Sequence, residues 1–319
     1  VADEVETAGI ISALAVSPSA PHIIYAGGYQ NGGIFKSTDS GDTWVSIGNG
    51  FEAYPDVMSL TVDPYDGSVV YMGSSRDGIY KTVNGGQSWT PIGSGMGSSD
   101  IRDIIIDPGN QQVMYVGGGP NPGTGIPGVY TSFDNSGSSW TPMIDGMGSR
   151  AVYSLAIDQN DPQNIYAGTN SGVWKYTIIS EPGGSPPVDN AWSASEPYGV
   201  RFTGLSINPS NSQILFATTP DGDVPVYKSI DGGITWTSSS VGLPIGSGEI
   251  FDIVFDPQNA NILYLPYQAG VYKSTDGGDS WVAKSTAIIE GKEYRIRPWS
   301  IDISPLDGTL YAGAYGAFP

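Results

Sequence analysis

The stretch Ser37-Thr38-Asp39-Ser40-Gly41-Asp42-Thr43-Trp44 decides how this chain is read, because it returns. Close copies are Ser229-Ile230-Asp231-Gly232-Gly233-Ile234-Thr235-Trp236 and Ser274-Thr275-Asp276-Gly277-Gly278-Asp279-Ser280-Trp281. A further copy, Thr82 to Trp89, carries Asn84 in place of the aspartate. Another, Ser132 to Trp140, holds Asp134 and one extra residue. Tryptophans stand at 44, 89, 140, 192, 236 and 281. A regular period of about 50 residues marks a solenoid, propeller or array.

Each repeat has one internal grammar. A short apolar strand such as Met58-Ser-Leu-Thr-Val62 ends at Asp63-Pro64; Ser17-Pro18, Asp107-Pro108, Asn208-Pro209, Asp256-Pro257 and Ser304-Pro305 hold the same place. Proline offers no N–H to a ladder and ends the strand there. A second strand follows (Ile23-Ile-Tyr25-Ala-Gly27, Val69-Val-Tyr71-Met-Gly73, Asn164-Ile-Tyr166-Ala-Gly168), then a variable glycine-rich loop. A third strand (Gly33-Ile-Phe-Lys36, Gly78-Ile-Tyr-Lys81, Gly270-Val-Tyr-Lys273) runs into the Ser-x-Asp-x-Gly-x-Thr-Trp turn, whose tryptophan opens a fourth. β-Branched and aromatic runs cut by Gly, Pro, Asn and Asp are strand signals, and no long stretch has helical spacing. Four antiparallel strands per repeat read as propeller blades.

These turns resemble the repeats of the Asp-box (BNR) propellers. That group holds sialidases, xyloglucan-cleaving glycosidases, sortilin-type receptor domains and photosystem assembly factors. The resemblance covers nearly the whole chain and implies an all-β, seven-bladed propeller of four-stranded antiparallel blades. Blades are expected to start near 11, 57, 101, 152, 202, 250 and 298, in one domain spanning 1–319. It says little about activity, because those relatives include enzymes and non-enzymes.

The turn is read as structural. An aspartate at a tight turn accepts nearby backbone N–H groups, the following glycine takes positive φ, and tryptophan packs between neighbouring blades. That role is assigned to Asp39, Trp44, Asn84, Trp89, Asp134, Trp140, Asp231, Trp236, Asp276 and Trp281. The paired acids Asp39/Asp42, Asp221/Asp223 and Asp276/Asp279 could hold Ca²⁺, which takes six to eight oxygens, although no complete loop motif is present. No other cofactor is expected.

Two places break the pattern. In the fourth repeat a Gly/Pro-rich insertion from Ser180 to Asn190 replaces the turn, and Trp192 is expected to restore the fourth strand. The seventh repeat, from Pro298, lacks the turn altogether. The economical expectation is closure, with residues 1–9 supplying its outer strand. The alternatives are a fragment of a longer protein, or a strand supplied by another molecule, which would polymerise the chain.

The formal net charge is −19 and the pI about 4.1. Such a field repels phosphate backbones and anionic membrane surfaces, so nucleic acid is not an expected partner. No apolar stretch is long enough to span a bilayer as a helix. There are no cysteines, which excludes disulfides and thiolate metal sites. A sparsely charged, acidic, Gly/Ser/Thr/Tyr-rich propeller beginning at Val1 suggests a secreted or cell-surface protein.

Loops between second and third strands, and the links between blades, share one face, where variation concentrates. The ligand-contact candidates there are Tyr29, Tyr54, Arg76, Arg102, Arg150, Arg201, Tyr267, Arg297 and Trp299. The arginines of the links should crowd near the ring's mouth, either as part of a binding basin or paired with acids that hold the ring together.

Two functions compete, and the first is the expected one, with the second as its alternative. One is a binding or assembly module for carbohydrate or a protein partner, using tyrosines and Trp299 as stacking surfaces. The other is a polysaccharide-cleaving glycoside hydrolase with a carboxylate pair drawn from Asp56, Asp77, Asp100, Asp103, Glu249 and Asp252. The resemblance separates the enzyme families residue by residue. Sialidases carry an aromatic-Arg-Ile-Pro motif early in the chain. Here Tyr294-Arg295-Ile296-Arg297-Pro298 has an inserted arginine and lies late. Xyloglucanases join two propellers and set a catalytic aspartate in the first blade's loop between strands two and three. This chain has Tyr29-Gln30-Asn31 there, and Asp77 only in the matching loop of blade two. His22 is the single histidine, so a Ser-His-Asp triad or a histidine metal site is not expected.

Overall fold

The computed structural model describes residues 10–314 except 31, 49–50, 52–54, 120–127, 135, 179–190, 247, 249, 268–269, 285–286, 290–291 and 295–297. For 287–289 and 292–294 it describes the backbone alone. All regular structure among these residues is β.

Six sheets of four antiparallel strands follow one another along the chain. Blade one is Ile10–Val16, Ile24–Tyr29, Ile34–Ser37 and Val45–Ser46. Blade two is Val57–Val62, Val70–Ser74, Ile79–Thr82 and Thr90–Pro91. Blade three is Ile101–Ile106, Met114–Gly118, Gly128–Ser132 and Thr141–Met143. Blade four is Val152–Ile157, Asn164–Thr169, Gly172–Thr177 and Ser193–Ser195. Blade five is Gly204–Ile207, Leu215–Thr218, Val226–Ser229 and Thr237–Ser238. Blade six is Val254–Asp256, Asn259–Tyr267, Gly270–Ser274 and Val282–Ala283. In each the first strand is innermost and every strand pairs with the next.

The expectation of seven such blades is corrected to six among the described residues. The seventh repeat forms only a two-stranded hairpin, Pro298–Ile303 with Leu310–Ala314. Residues 298–319 hold no Ser-x-Asp-x-Gly-x-Thr-Trp turn, the feature that brings the third and fourth strands together in the other blades. The hairpin stands between blades six and one. Ser300 Oγ reaches Ile11 O at 3.4 Å, and Ile301 N–H points at Asp252 at 3.4 Å. Residues 1–9, expected to complete it, lie outside the described residues, as does the insertion from Ser180 to Asn190.

In blades one to four, close approach to the next blade follows from a glycine in the second strand. A Cβ on Gly27 would lie 2.3 Å from Val57, and one on Gly117 would lie 2.7 Å from Val152. Only glycine lets the next inner strand sit so near. Gly313 of the hairpin faces Ile11 of blade one in the same way, at 2.6 Å.

The recurring turn is built as its chemistry dictates. Asp39 accepts Thr43 N–H at 2.8 Å and Thr43 Oγ1–H at 2.5 Å, while Ser37 Oγ accepts Gly41 N–H at 2.8 Å. Asp231 and Asp276 repeat this, Asn84 repeats it through Ser88, and Asp134 does so through Ser138 despite the extra residue. These contacts lower the carboxylate pKa values, to about 2 for Asp231 and Asp276, chiefly through the Thr235 and Ser280 hydroxyls.

The tryptophans then tie blades together. Trp89 donates to Ile47 O (3.1 Å), Trp140 to Ile92 O (2.7 Å), Trp192 to Met143 O (2.8 Å) and Trp281 to Ser239 O (2.7 Å). Each acceptor belongs to, or directly follows, the outermost strand of the preceding blade. Trp192 does this without a box, and the fourth strand starts one residue later. An apolar ring with one N–H suits such a site, where the body is buried and the donor needs a partner.

Candidate functional site: the mouth of the axial cavity

The inner strands carry the feature that builds the site. In blades one to four and in the final hairpin, the pairing of the inner strand slips by one residue at its beginning. The extra residues are Ser12, Met58, Arg102, Tyr153 and Trp299. A bulge of this kind re-aims a side chain. All five line one cavity of about 560 Å³, joined there by Thr203 and Phe251 of blades five and six. One residue per blade, plus one from the hairpin, therefore crowns the same opening.

The crown is asymmetric. On one side Trp299 stacks on Phe251, with ring centroids 5.2 Å apart and planes 23° apart. On the other, the Arg102 guanidinium lies 4.9 Å over the Tyr153 ring, and Arg201 lies 6.0 Å from that ring. Arg102 donates Nε–H and Nη2–H to Asp100 at 3.2 and 3.0 Å, and Arg201 does the same to Asp221 at 3.1 and 3.0 Å. Both arginines pair with acids, and Arg102 also lines the cavity.

One residue further along the inner strands, Asp103, Asp252 and Ser154 enter the cavity wall. Asp103 accepts Ile104 N–H at 2.8 Å and Leu155 N–H, from the next blade, at 2.7 Å. Asp252 accepts Ile253 N–H at 2.8 Å, besides its contact with Ile301. Asp302 accepts Ile303 N–H at 2.8 Å and Val16 N–H at 2.7 Å. Each keeps some exposed surface, yet the surrounding protein desolvates its carboxyl group. Burial pushes Asp103 and Asp302 up to about 6. Burial, reinforced by the nearby Asp302 carboxylate, pushes Asp252 up to about 7.

The other sequence candidates are scattered. Tyr29 lines the cavity. Tyr267, expected in the basin, is fully buried at the end of a nine-residue strand and donates its hydroxyl to Gly246 O. Arg150 stacks over Trp174 at 4.5 Å and donates to Met147 O, away from the cavity lining. Asp56 accepts Gln30 N–H at 2.8 Å, and Asp100 is buried against Arg102. Asp77 is exposed, accepts Ser74 Oγ–H at 3.1 Å, and edges a separate surface hollow; Arg76 beside it is exposed. Tyr54, Glu249 and Arg297 lie outside the described residues. Of the proposed calcium pairs, Asp221 is paired with Arg201, and Asp279 with Lys228 at 2.9 Å. Among the described residues no three His, Asp or Glu side chains come together to hold a metal.

Sequence reasoning missed Thr203 and Phe251, and it missed Ser12, Met58 and Tyr153 because a bulge is set by the partner strand and leaves no local signature. It placed a turn after the inner strand but did not assign the side chain that caps it. Asp63, Asp107, Asp158, Asn208 and Asp256 each cap the turn after the inner strand by accepting N–H groups two and three residues on. The Asp-Pro and Asn-Pro spellings at four of these places carried that signal.

No protein-family model matches the chain. A xyloglucanase of Hypocrea jecorina (strain QM6a) is 27% identical over 185 residues, covering 52% of this chain and 20% of that protein. A xyloglucanase of Paenibacillus sp is 25% identical over 281 residues, covering 71% of this chain and 26% of that protein. The chain therefore spans about a fifth to a quarter of these curated relatives. Among solved structures, an ancestral GH74 enzyme superposes with TM-score 0.75 at 21% identity, over 97% of this chain and 44% of that one. The GH74 enzyme of Niastella koreensis gives 0.67 at 23%, over 98% and 53%. YCF48 bound to D1 peptide gives 0.65 at 18%, over 97% and 90%. These structures share the propeller fold.

Proposed function

We propose that this chain engages a polysaccharide of the xyloglucan type at the mouth of its axial cavity and acts on it as a glycoside hydrolase. The observation that carries the reading is the Trp299–Phe251 stack on the rim, with Asp252 and Asp103 in the wall of the same cavity. Flat aromatic faces bind the apolar faces of sugar rings, and convergent polar groups orient them. Glycoside hydrolysis needs one carboxylic acid that keeps its proton and a second carboxylate. Asp252, pushed up to about 7, is the proton donor, and Asp103 is the second group.

A second reading, binding without cleavage, is favoured by one specific feature. Both oxygens of Asp103 already accept inner-strand N–H groups, which suits a structural clasp. Reducing-end release from xyloglucan, together with equilibrium binding, separates the two. Release that Asp252→Asn cuts about 100-fold, with binding kept, supports hydrolysis. Binding without release supports the module. Neither binding nor release contradicts both.

Three further parts belong to the same proposal. The turns are Asp-box repeats, residues 1–319 form one propeller domain that residues 1–9 close by joining the last hairpin, and the protein works outside the cell. No helix among the described residues is long and apolar enough to cross a membrane. Deleting residues 1–9 should lower the melting temperature; an unchanged, monodisperse protein argues against closure.

A further inference from the structure

We infer that Asp56 is a positioning residue for the sugar-contacting mouth: its carboxylate fixes Tyr29 of the neighbouring blade as a ring against which a sugar lies, and it takes no part in proton transfer or nucleophilic attack. The inference rests on the polysaccharide reading above and adds a further contact ring and the group that holds it.

Three observations carry it. First, Asp56 joins two blades beside the cavity. It stands directly before the inner strand of blade two, yet its Oδ1 accepts Gln30 N–H of blade one at 2.8 Å. Its carbonyl accepts Ser75 N–H, from the loop after the second strand of blade two, at 3.0 Å. The next residue, Val57, accepts Ser12 Oγ–H of blade one at 2.6 Å. Ser12, Tyr29 and Ser75 all line the axial cavity, so a node of two residues holds three of its lining segments. Second, the clamped backbone is one that a side chain disfavours. Gln30 has φ 57°, in the left-handed region where a residue with a Cβ is uncommon. Such a conformation persists where its surroundings hold it, and the hydrogen bond from Gln30 to Asp56 is a hold of that kind. Third, the device is particular to this place. Asp100 stands at the equivalent position before the inner strand of blade three, and its carboxylate turns to Arg102 of its own blade. Ala151 occupies that position in blade four and has no side-chain acceptor to offer.

The consequence for recognition is geometric. Tyr29 is half-buried, ends its strand, and is followed at once by Gln30. Fixing the Gln30 N–H therefore fixes the direction in which the Tyr29 ring leaves the strand. A ring held in place beforehand costs less entropy on binding than one that the ligand must order. The hairpin stands between blades six and one, so Phe251, Trp299 and Tyr29 come from three consecutive units of the ring. Tyr29 thus extends the aromatic side of the cavity beyond the Trp299–Phe251 stack.

The test is a double-mutant cycle read by calorimetric binding of the whole chain to a xyloglucan oligosaccharide, with reducing-end release measured beside it. Asp56→Ala removes the acceptor and should weaken binding about five-fold, the scale of one lost hydrogen bond. Tyr29→Ala should weaken it at least as much, and the double variant should bind no more weakly than Tyr29→Ala alone. Asp56→Asn keeps an oxygen at the same place. It should rescue binding to within about two-fold of the unaltered chain, and release with it where the unaltered chain shows release. Asp56→Glu keeps the charge and moves the acceptor by one methylene; it replaces Asp56→Ala, with the same expectation, should that variant not fold. Losses that add in the double variant overturn the inference and leave the polysaccharide reading standing. So does binding that Asp56→Ala or Tyr29→Ala leaves unchanged while the melting temperature falls. Release cut about 100-fold by Asp56→Asn, with binding kept, would make Asp56 a reacting carboxylate and overturn the inference as well. If the unaltered chain binds no xyloglucan oligosaccharide, the polysaccharide reading fails and this inference with it.

Discussion

Leu155 of blade four donates its backbone N–H to the carboxylate of Asp103 in blade three at 2.7 Å. Neighbouring inner strands diverge from the axis and share no ladder, so side chains must bridge them. Asp302 does this for Val16 at 2.7 Å, Ser154 for Leu205 N–H at 3.1 Å, and Ser12 donates to Val57 O at 2.6 Å. The residues that line the candidate site are therefore interleaved with those that join the blades. Replacing Asp103 with alanine strands the N–H groups of Ile104 and Leu155. It should cost about 1–3 kcal/mol, read as a lower denaturant midpoint with an unchanged m-value.

The same aspartates give the stability a defined pH dependence. Asp103 and Asp302 at about 6, and Asp252 at about 7, lie above the ordinary 3.8 of an unfolded aspartate. The folded chain therefore binds more protons than the unfolded one between those values. Its contribution from these groups is full below about pH 4 and is lost as pH rises through 6 and 7. The turn aspartates, including Asp231 and Asp276 at about 2, act oppositely, and their contribution is lost as pH falls through that value. Melting temperature should climb on acidification from pH 8 to about 5. Asp252→Asn should flatten that climb, and a flat profile in the unaltered protein would contradict the assignment.

Trp281 and Trp44 should differ in what they contribute. Trp281 is 2% exposed and its indole N–H reaches Ser239 O of the preceding blade. Trp44 is only half-buried and bonds Gly41 O of its own turn at 3.1 Å. Trp281→Ala should cost about 3–5 kcal/mol in thermal or denaturant unfolding, and Trp44→Ala clearly less. Equal losses would mean that the inter-blade bond adds nothing.

The turns and blades were legible in the sequence because their chemistry is local. An aspartate that caps its own turn and a glycine at positive φ stand within eight residues of one another. Gly41, Gly233 and Gly278 all adopt that φ. The site was legible only in fragments. Arg102, Trp299, Asp103 and Asp252 stood out by residue type and by their place just before or within an inner strand. Met58 and Tyr153 did not, since their exposure to the cavity depends on a one-residue slip against a strand more than ten residues away. Tyr267 was misplaced because it is the last residue of its strand, paired with Gly270 and fully buried, rather than part of the loop that follows. The seventh repeat was over-read, because its first two strands match the others and form a two-stranded hairpin rather than a four-stranded blade.

Hydrogen–deuterium exchange of the chain with and without a xyloglucan oligosaccharide tests the central claim most directly. If the bulged starts of the inner strands form one binding mouth, protection should appear together at Ser12, Met58, Arg102, Tyr153, Thr203, Phe251 and Trp299. The Asp39, Asp231 and Asp276 turns on the opposite face should stay unchanged. Protection confined to those turns, or to the outer strands, would contradict the account.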